Sequence, residues 1–243
     1  MTSWFRTFQK LGLVLGAVLL LWPAAVQAQE VKLQNRPYLD LRPFHYGFMI
    51  GVHEESLRLK NNGFVDPETG SQWLASNDRY DPGFTVGVLG EWRMHRHVAL
   101  RALPTMHFGS KHIVFRDQVT HQQQFQDMKA TYISLPIDVK LSAPRFNNYR
   151  PYVMAGVNLM YDLTTKEDAN LKLKPMNTML EVGMGCDFYL PFFKLIPELK
   201  FCLGFNNLLD KDRSDLLDKT KEVFTKSVDA AHTNLIVFTL YFE

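Results

Sequence analysis

Tyr132-Ile-Ser-Leu-Pro-Ile-Asp-Val-Lys-Leu141 alternates without a break: Ile133, Leu135, Ile137, Val139 and Leu141 are apolar, while Tyr132, Ser134, Asp138 and Lys140 fall between them. A period of two places each set on one face of a β-strand. Ala99–Phe108 behaves the same way, with Leu100, Ala102, Pro104, Met106 and Phe108 opposite Arg101, Thr105 and His107. The pattern recurs from Phe44 to the end of the chain. It predicts eight strands, near Phe44–His53, Gly83–Arg93, Val98–Phe108, Met128–Leu141, Pro151–Leu163, Thr178–Leu190, Leu195–Phe205 and Asn234–Phe242. The last is the least regular, because Leu235 and Val237 fall on its polar side.

Ahead of these strands, Arg6 and Lys10 precede the apolar run Leu11–Leu21, and Val26-Gln27-Ala28 carries small residues at signal-peptidase spacing. Residues 1–28 therefore read as a cleaved export signal; the run is short for a membrane helix of roughly 20 residues. No later stretch is apolar enough for such a helix. A membrane-resident mature chain must then be a closed barrel, since only that alternative satisfies every backbone group in lipid. The expected organisation is a signal over 1–28, a short periplasmic arm over 29–43 and an outer-membrane β-barrel over 44–243.

Formal charge is +2 and aromatic residues make up 13% of the chain, so composition argues for a lipid-facing surface and not for a nucleic-acid partner. The connections Met94–His97, Ser142–Arg150 and Pro191–Lys194 are short; Arg58–Arg79, Gly109–Asp127, Thr164–Asn177 and Asn206–Thr233 are long and polar. Bacterial barrels have short periplasmic turns and longer outer loops, which places both termini in the periplasm. Phe44, Trp92, Phe108, Tyr161, Phe188, Phe205 and Phe242 lie near the ends of apolar rows, where interfacial girdles are expected.

A lipocalin-type soluble barrel is the structural rival. It needs an apolar interior for its ligand, which would turn the apolar row inward. Here the opposite row holds Glu91, Arg101, Asp138, Lys140, Glu181, Asp187, Glu198 and Lys200, together with several glycines suited to a crowded lumen. The membrane barrel is preferred on that ground. Cys186 shares a face with Val182 and Met184, whereas Cys202 shares one with Glu198 and Lys200. Thiols on opposite sides cannot bridge, so both are expected to be free.

Three segments resemble the Bacteroidetes outer-membrane barrel family that includes PorT. Tyr132-Ile-Ser-Leu-Pro136 is similar to its Y-[LI]-x-[LI]-P strand, and Arg150-Pro151-Tyr152-Val-Met-Ala-Gly156 to its PY…aG strand start. Glu198-Leu-Lys-Phe-Cys-Leu-Gly204-Phe-Asn206-Asn207 resembles its E-x-[RK]-[YF]-x-x-G-L-x-N strand and exit. The opening Tyr38–Phe48 and the long loops point to the PorT-like members. One departure is Glu243 after Phe242, where such barrels usually finish on an aromatic residue. The resemblance implies a role in type IX protein secretion, which exports surface and secreted proteins and supports gliding in some relatives. Other secretion proteins at the outer membrane or periplasm would then be the partners, besides outer-membrane lipid.

Glu181, Asp187, Glu198 and Lys200 are expected to form an ion-pair network filling the barrel, because each buried charge needs a partner. His95, His97, His107, His112 and His121 lack ligand spacing, so no metal or cofactor is expected. Ser56 near His53 and Ser134 near Asp138 resemble hydrolytic pairs, but the chain is rich in such pairs by chance and has no nucleophile elbow, so no catalytic residue or small-molecule substrate is expected. Leu216, Leu217, Val223, Phe224 and Val228 suggest an amphipathic helix over about Ser214–Val228, docking on a partner or packing over the barrel mouth. Eight strands enclose no conduit for protein, since open porins need about 16. The expected function is a non-catalytic accessory or scaffold of type IX secretion. The alternatives are a structural or adhesion barrel with binding loops, and a membrane-embedded hydrolase.

Overall fold

The computed structural model describes residues 35–243 except 68–69, 80, 165–169 and 214–221; residues 78 and 79 are described as backbone only. The expected export signal and the start of the arm lie outside the described residues. Among the described residues ten strands are present: β1 (Phe44–Asn61), β2 (Trp73–Arg79), β3 (Pro82–Arg93), β4 (Val98–Ala102), β5 (Thr105–Asp117), β6 (Gln123–Ser142), β7 (Tyr149–Asp162), β8 (Met176–Tyr189), β9 (Lys194–Gly204) and β10 (Val228–Phe242). A 3-10 turn, Leu39–Leu41, precedes them, and one short helix, α1 (Glu222–Lys226), precedes β10. No described helix is long and apolar enough to cross a membrane.

All pairings are antiparallel, and the sheet closes because β1 pairs with both β3 and β10. The ten strands make eight staves. β4 and β5 are one stave: Ala102 faces Ile137 and Thr105 faces Ser134 in unbroken register, and the ladder lapses between them where Pro136 has no N–H to give. Leu103 N–H still donates to the Pro136 carbonyl at 3.0 Å. β2 and β3 form another stave, interrupted by irregular register between Ser76 and Arg79.

Parity along the staves follows the sequence. On β6, Ile137 is 46% exposed on the outer surface while Asp138 is 0% exposed inside. Phe48, Val88, Val139, Val157, Met184, Phe201 and Phe238 point outward, whereas Arg101, Lys140, Glu181, Asp187 and Glu198 are buried in the lumen. The lipocalin alternative required the reverse. The outward apolar row Ile133–Leu141, tilted as barrel strands are, spans about 20 Å, close to the apolar band of a transmembrane barrel. Aromatic pairs rim its short-turn end: Phe44 stacks on Trp92 at 6.3 Å and Phe48 on Phe242 at 5.0 Å.

Two expectations need correction. Gly109–Asp127 is not a long loop: β5 and β6 continue as a hairpin to Asp117 and Gln123, leaving only residues 118–122 as the turn. Asp117 builds that turn, its carboxylate accepting from the backbone N–H groups of Gln72, Val119 and Thr120 at 2.9–3.2 Å. β1 and β10 likewise run beyond their expected ends, to Asn61 and back to Val228, so the barrel stands well clear of its apolar band at the long-loop end. Leu235 and Val237, irregular in sequence, are buried in the lumen beside Tyr132, Met160, Met179 and Cys202. Cys186 and Cys202 are free thiols.

Candidate functional site

The interior is the candidate site, and it is built in layers. Nearest the short turns, Lys140 Nζ donates to Asp187 at 2.9 and 3.0 Å and to Glu91 at 3.2 Å, lying 4.2 Å from the centre of the Tyr152 ring. Above it, Glu198 is held by three donors: Arg101 at 2.5 Å, Tyr152 at 2.5 Å and Tyr241 at 2.6 Å. Next, Lys200 Nζ bridges Asp138 at 3.3 Å, Glu181 at 3.4 Å and Glu198 at 3.4 Å, and Asn158 donates to Glu181 at 2.6 Å. Gly185 leaves room for this arrangement, since a Cβ there would strike the Tyr152 phenol. The network expected from Glu181, Asp187, Glu198 and Lys200 therefore forms, with Arg101, Lys140, Glu91 and Asp138 as further members. It spans five staves and fills the barrel with opposed charges in contact.

Higher still lies a hydrogen-bonded chain that links His53 Nδ1 to Thr85 (2.8 Å), Thr85 to His107 Nδ1 (2.9 Å), and His107 Nε2 to Ser134 (3.0 Å). The pairs singled out in the sequence do not meet. His53 and Ser56 face opposite sides of β1, and Ser134 and Asp138 are four residues apart along one face, about 13 Å. The pair that does meet, His107 with Ser134, is joined by register between β5 and β6 and carries no sequence spacing that would reveal it. Both residues are buried, with Thr85 and Thr105 and not a carboxylate beside the imidazole. Of the other histidines, His97 bonds the Ser142 carbonyl at 2.9 Å, His112 pairs with Asp127, and His121 sits in the turn after β5. Among the described residues no three potential metal ligands converge.

Both mouths are closed by the chain itself. At the long-loop end Leu57, Trp73, Ile113, Phe115, Leu171, Leu173, Leu208 and Leu209 form one apolar cluster. Phe224 of α1 packs into it, 5.0 Å from Trp73 and 4.8 Å from Phe115 by ring centres. Of the amphipathic helix expected over Ser214–Val228, the described part thus packs over the mouth; residues 214–221 lie outside the described residues. Beneath this cap Lys111 pairs with Glu55 at 2.8 Å, and Tyr132 donates to the same carboxylate at 3.0 Å.

At the short-turn end the arm folds across the opening. Asp40 gathers Tyr189 at 2.7 Å, Arg93 at 3.1 Å, Arg145 at 3.3 Å and Arg150 at 3.4 Å, and Arg145 lies 3.6 Å over the Tyr189 ring. Asn35 is tied to Asn148 and Tyr189, and Leu39 is buried beneath the barrel. Glu243 closes the rim through His45 at 2.5 Å and Lys194. Burial alone would raise the Asp40 pKa, but the Tyr189 hydroxyl and the guanidinium groups of Arg93, Arg150 and Arg145 outweigh it and hold the carboxyl below its ordinary 3.8. A depressed carboxyl stabilises the docked arm above that value and loses the contribution as pH falls through the folded-state pKa. Arm docking is therefore expected to persist at neutral pH and to fail progressively below about pH 4. Asp40→Asn should weaken docking by about 1–3 kcal/mol and raise chymotrypsin cleavage at Tyr38 and Leu41 roughly 5- to 150-fold at pH 7; unchanged cleavage would deny Asp40 this role.

A closed eight-stave barrel with apolar side chains outward and charges inward is what a protein embedded in lipid requires. Comparison with known proteins agrees: the profile of the outer membrane protein beta-barrel domain matches residues 27–210. This chain belongs to that family. It is an outer-membrane β-barrel, in contact with lipid along its outward row. No curated sequence matches it. Among solved structures it is similar to Neisserial surface protein A (10% identity, TM-score 0.39, covering 82% of this chain and 98% of that one). OprG from Pseudomonas aeruginosa gives 12% identity and a TM-score of 0.43, covering 82% and 92%. Ail of Yersinia pestis, solved with the heparin analogue sucrose octasulfate, gives 13% and 0.36, covering 83% and 99%.

Proposed function

We propose that this outer-membrane barrel is a non-catalytic accessory or scaffold subunit of type IX protein secretion, with its long loops outside the cell and its termini in the periplasm. The observation that supports it is the filled lumen. Charged layers occupy the interior, an apolar cluster caps one mouth and the arm closes the other. A barrel packed in this way offers partners its rims and loops and no passage. The assignment to type IX secretion in particular rests on the PorT-like strand segments at Tyr132–Lys140, Arg150–Gly156 and Glu198–Asn207. The partners in this reading are other secretion proteins at the outer membrane or periplasm. Deleting the gene tests it: secreted proteins should accumulate in the periplasm and return to the medium on complementation. Unimpaired export would refute it. An adhesion barrel is the second reading, favoured by the hairpin β5–β6 standing beyond the apolar band; deletion would then alter surface attachment and leave export normal.

A further inference from the structure

β7 ends at Asp162, opposite Tyr132, while β6 continues upward to Gln123, paired among the described residues with β5 alone. The residues of β6 whose backbone faces the vacant side follow from the last bonds made there. Leu163 N–H donates to the Thr131 carbonyl at 2.9 Å, and the Thr164 hydroxyl caps the next acceptor on that edge, the Lys129 carbonyl, at 2.7 Å. In an antiparallel strand the direction of N–H and C=O alternates with each residue. Gln123, Phe125, Asp127 and Lys129 therefore turn their N–H groups away from β5, as do the carbonyls of Gln123, Phe125 and Asp127. None of these groups has a hydrogen-bond partner among the described residues.

The edge is straight, and among the described residues it is open. Its pairing with β5 shows no register shift from Thr105–Ser134 to Arg116–Gln123, and Gln123–Lys129 contains no proline, so two usual protections of an edge strand are missing. Two exposed charged side chains, Asp127 and Lys129, stand on this edge, and Asp127 pairs with His112. Phe125, 57% exposed and 5.9 Å from the His112 ring, stands beside the free groups. The next buried neighbour, Gln126, points the other way and ties the Leu171 backbone into the apolar cap, which holds β6 in place.

We propose that this edge is a docking site for an extended polypeptide segment of a partner protein, which adds as a ninth strand beside Gln123–Lys129. Donors and acceptors repeating every second residue, about 6.7 Å apart, match the backbone of another β-strand and no lipid headgroup or sugar. Main-chain bonds would supply the affinity, and an apolar or aromatic side chain of the partner would cover Phe125.

The test uses the full barrel in lipid nanodiscs and a fluorescent seven-residue peptide of alternating threonine and valine with a central phenylalanine. A fully N-methylated version of the same peptide serves as the control. Binding by the first and not the second is expected, with amide shifts at Gln123, Phe125, Asp127 and Lys129. Asp127→Pro removes an N–H from the vacant side without costing a β5 bond, so the barrel should keep its folded gel mobility while affinity falls tenfold or more. Equal binding of the two peptides, no binding of either, or shifts confined to other residues would overturn the proposal. The amide shifts in the unaltered protein decide it if the proline variant does not fold.

Discussion

Glu198→Ala should be among the most damaging single changes in the barrel, lowering its unfolding free energy by about 3–5 kcal/mol. Glu198 is 1% exposed and accepts from Arg101, Tyr152 and Tyr241 at once. Removing it leaves the Arg101 guanidinium, 0% exposed, without its closest acid, and strips two buried phenols of their acceptor. The penalty is that of the abandoned partners and not the net worth of the pair. A double change makes the distinction. Arg101→Met with Glu198→Gln removes both charges while leaving an amide oxygen for Tyr152 and Tyr241, and it should recover more than half of the loss. Denaturant titration in micelles, followed by gel mobility without boiling, reads both variants. Equal stability of Glu198→Ala and the parent would mean that the lumen is hydrated enough to make the network dispensable.

The second large effect lies on the other face of the wall. Ile137 occupies the middle of the outward row Ile133–Leu141, and Ile137→Arg should cost about 2–4 kcal/mol, the penalty for a cation near the bilayer midplane. An arginine at a water-exposed site would cost almost nothing, so the same substitution separates a lipid-facing wall from a soluble one. Refolding into lipid vesicles, with the folded fraction measured against denaturant, gives the number. A cost under about 0.5 kcal/mol would place Ile137 in water.

How much of this was legible in the chain depends on which force acts at each residue. Between lipid and a charged lumen the two faces differ as sharply as they can, and there every stave could be read: Tyr132–Leu141 gives its strand, its parity and its outward face residue by residue. The free thiols of Cys186 and Cys202 followed from the same parity. Above the band, water bathes the outside and the apolar cap lies within, so the contrast fades. His121-Gln-Gln-Gln-Phe-Gln-Asp127 has no period of two, which is why the β5–β6 hairpin reads as a loop until its register is seen.

The closures were hidden for a different reason. Asp40 meets Arg93, Arg145, Arg150 and Tyr189 across separations of 53 to 149 residues. Nothing local to Asp40 marks it as the centre of that cluster. The same holds for His107 and Ser134, whose meeting depends on how β5 registers against β6. Strand identity is a local property of the sequence; the partners of a lumen side chain are a property of the closed ring.

The barrel turns its apolar side chains toward the membrane and its charged ones toward the axis. Solid-state NMR of the unaltered protein in bilayers, transferring polarisation from lipid acyl chains to side chains, measures this orientation directly. Strong transfer to the Ile133, Leu135, Ile137, Val139 and Leu141 methyl groups, with none reaching Ser134, Asp138 or Lys140, is the predicted result. Transfer to the second set, or its absence from the first, would contradict it.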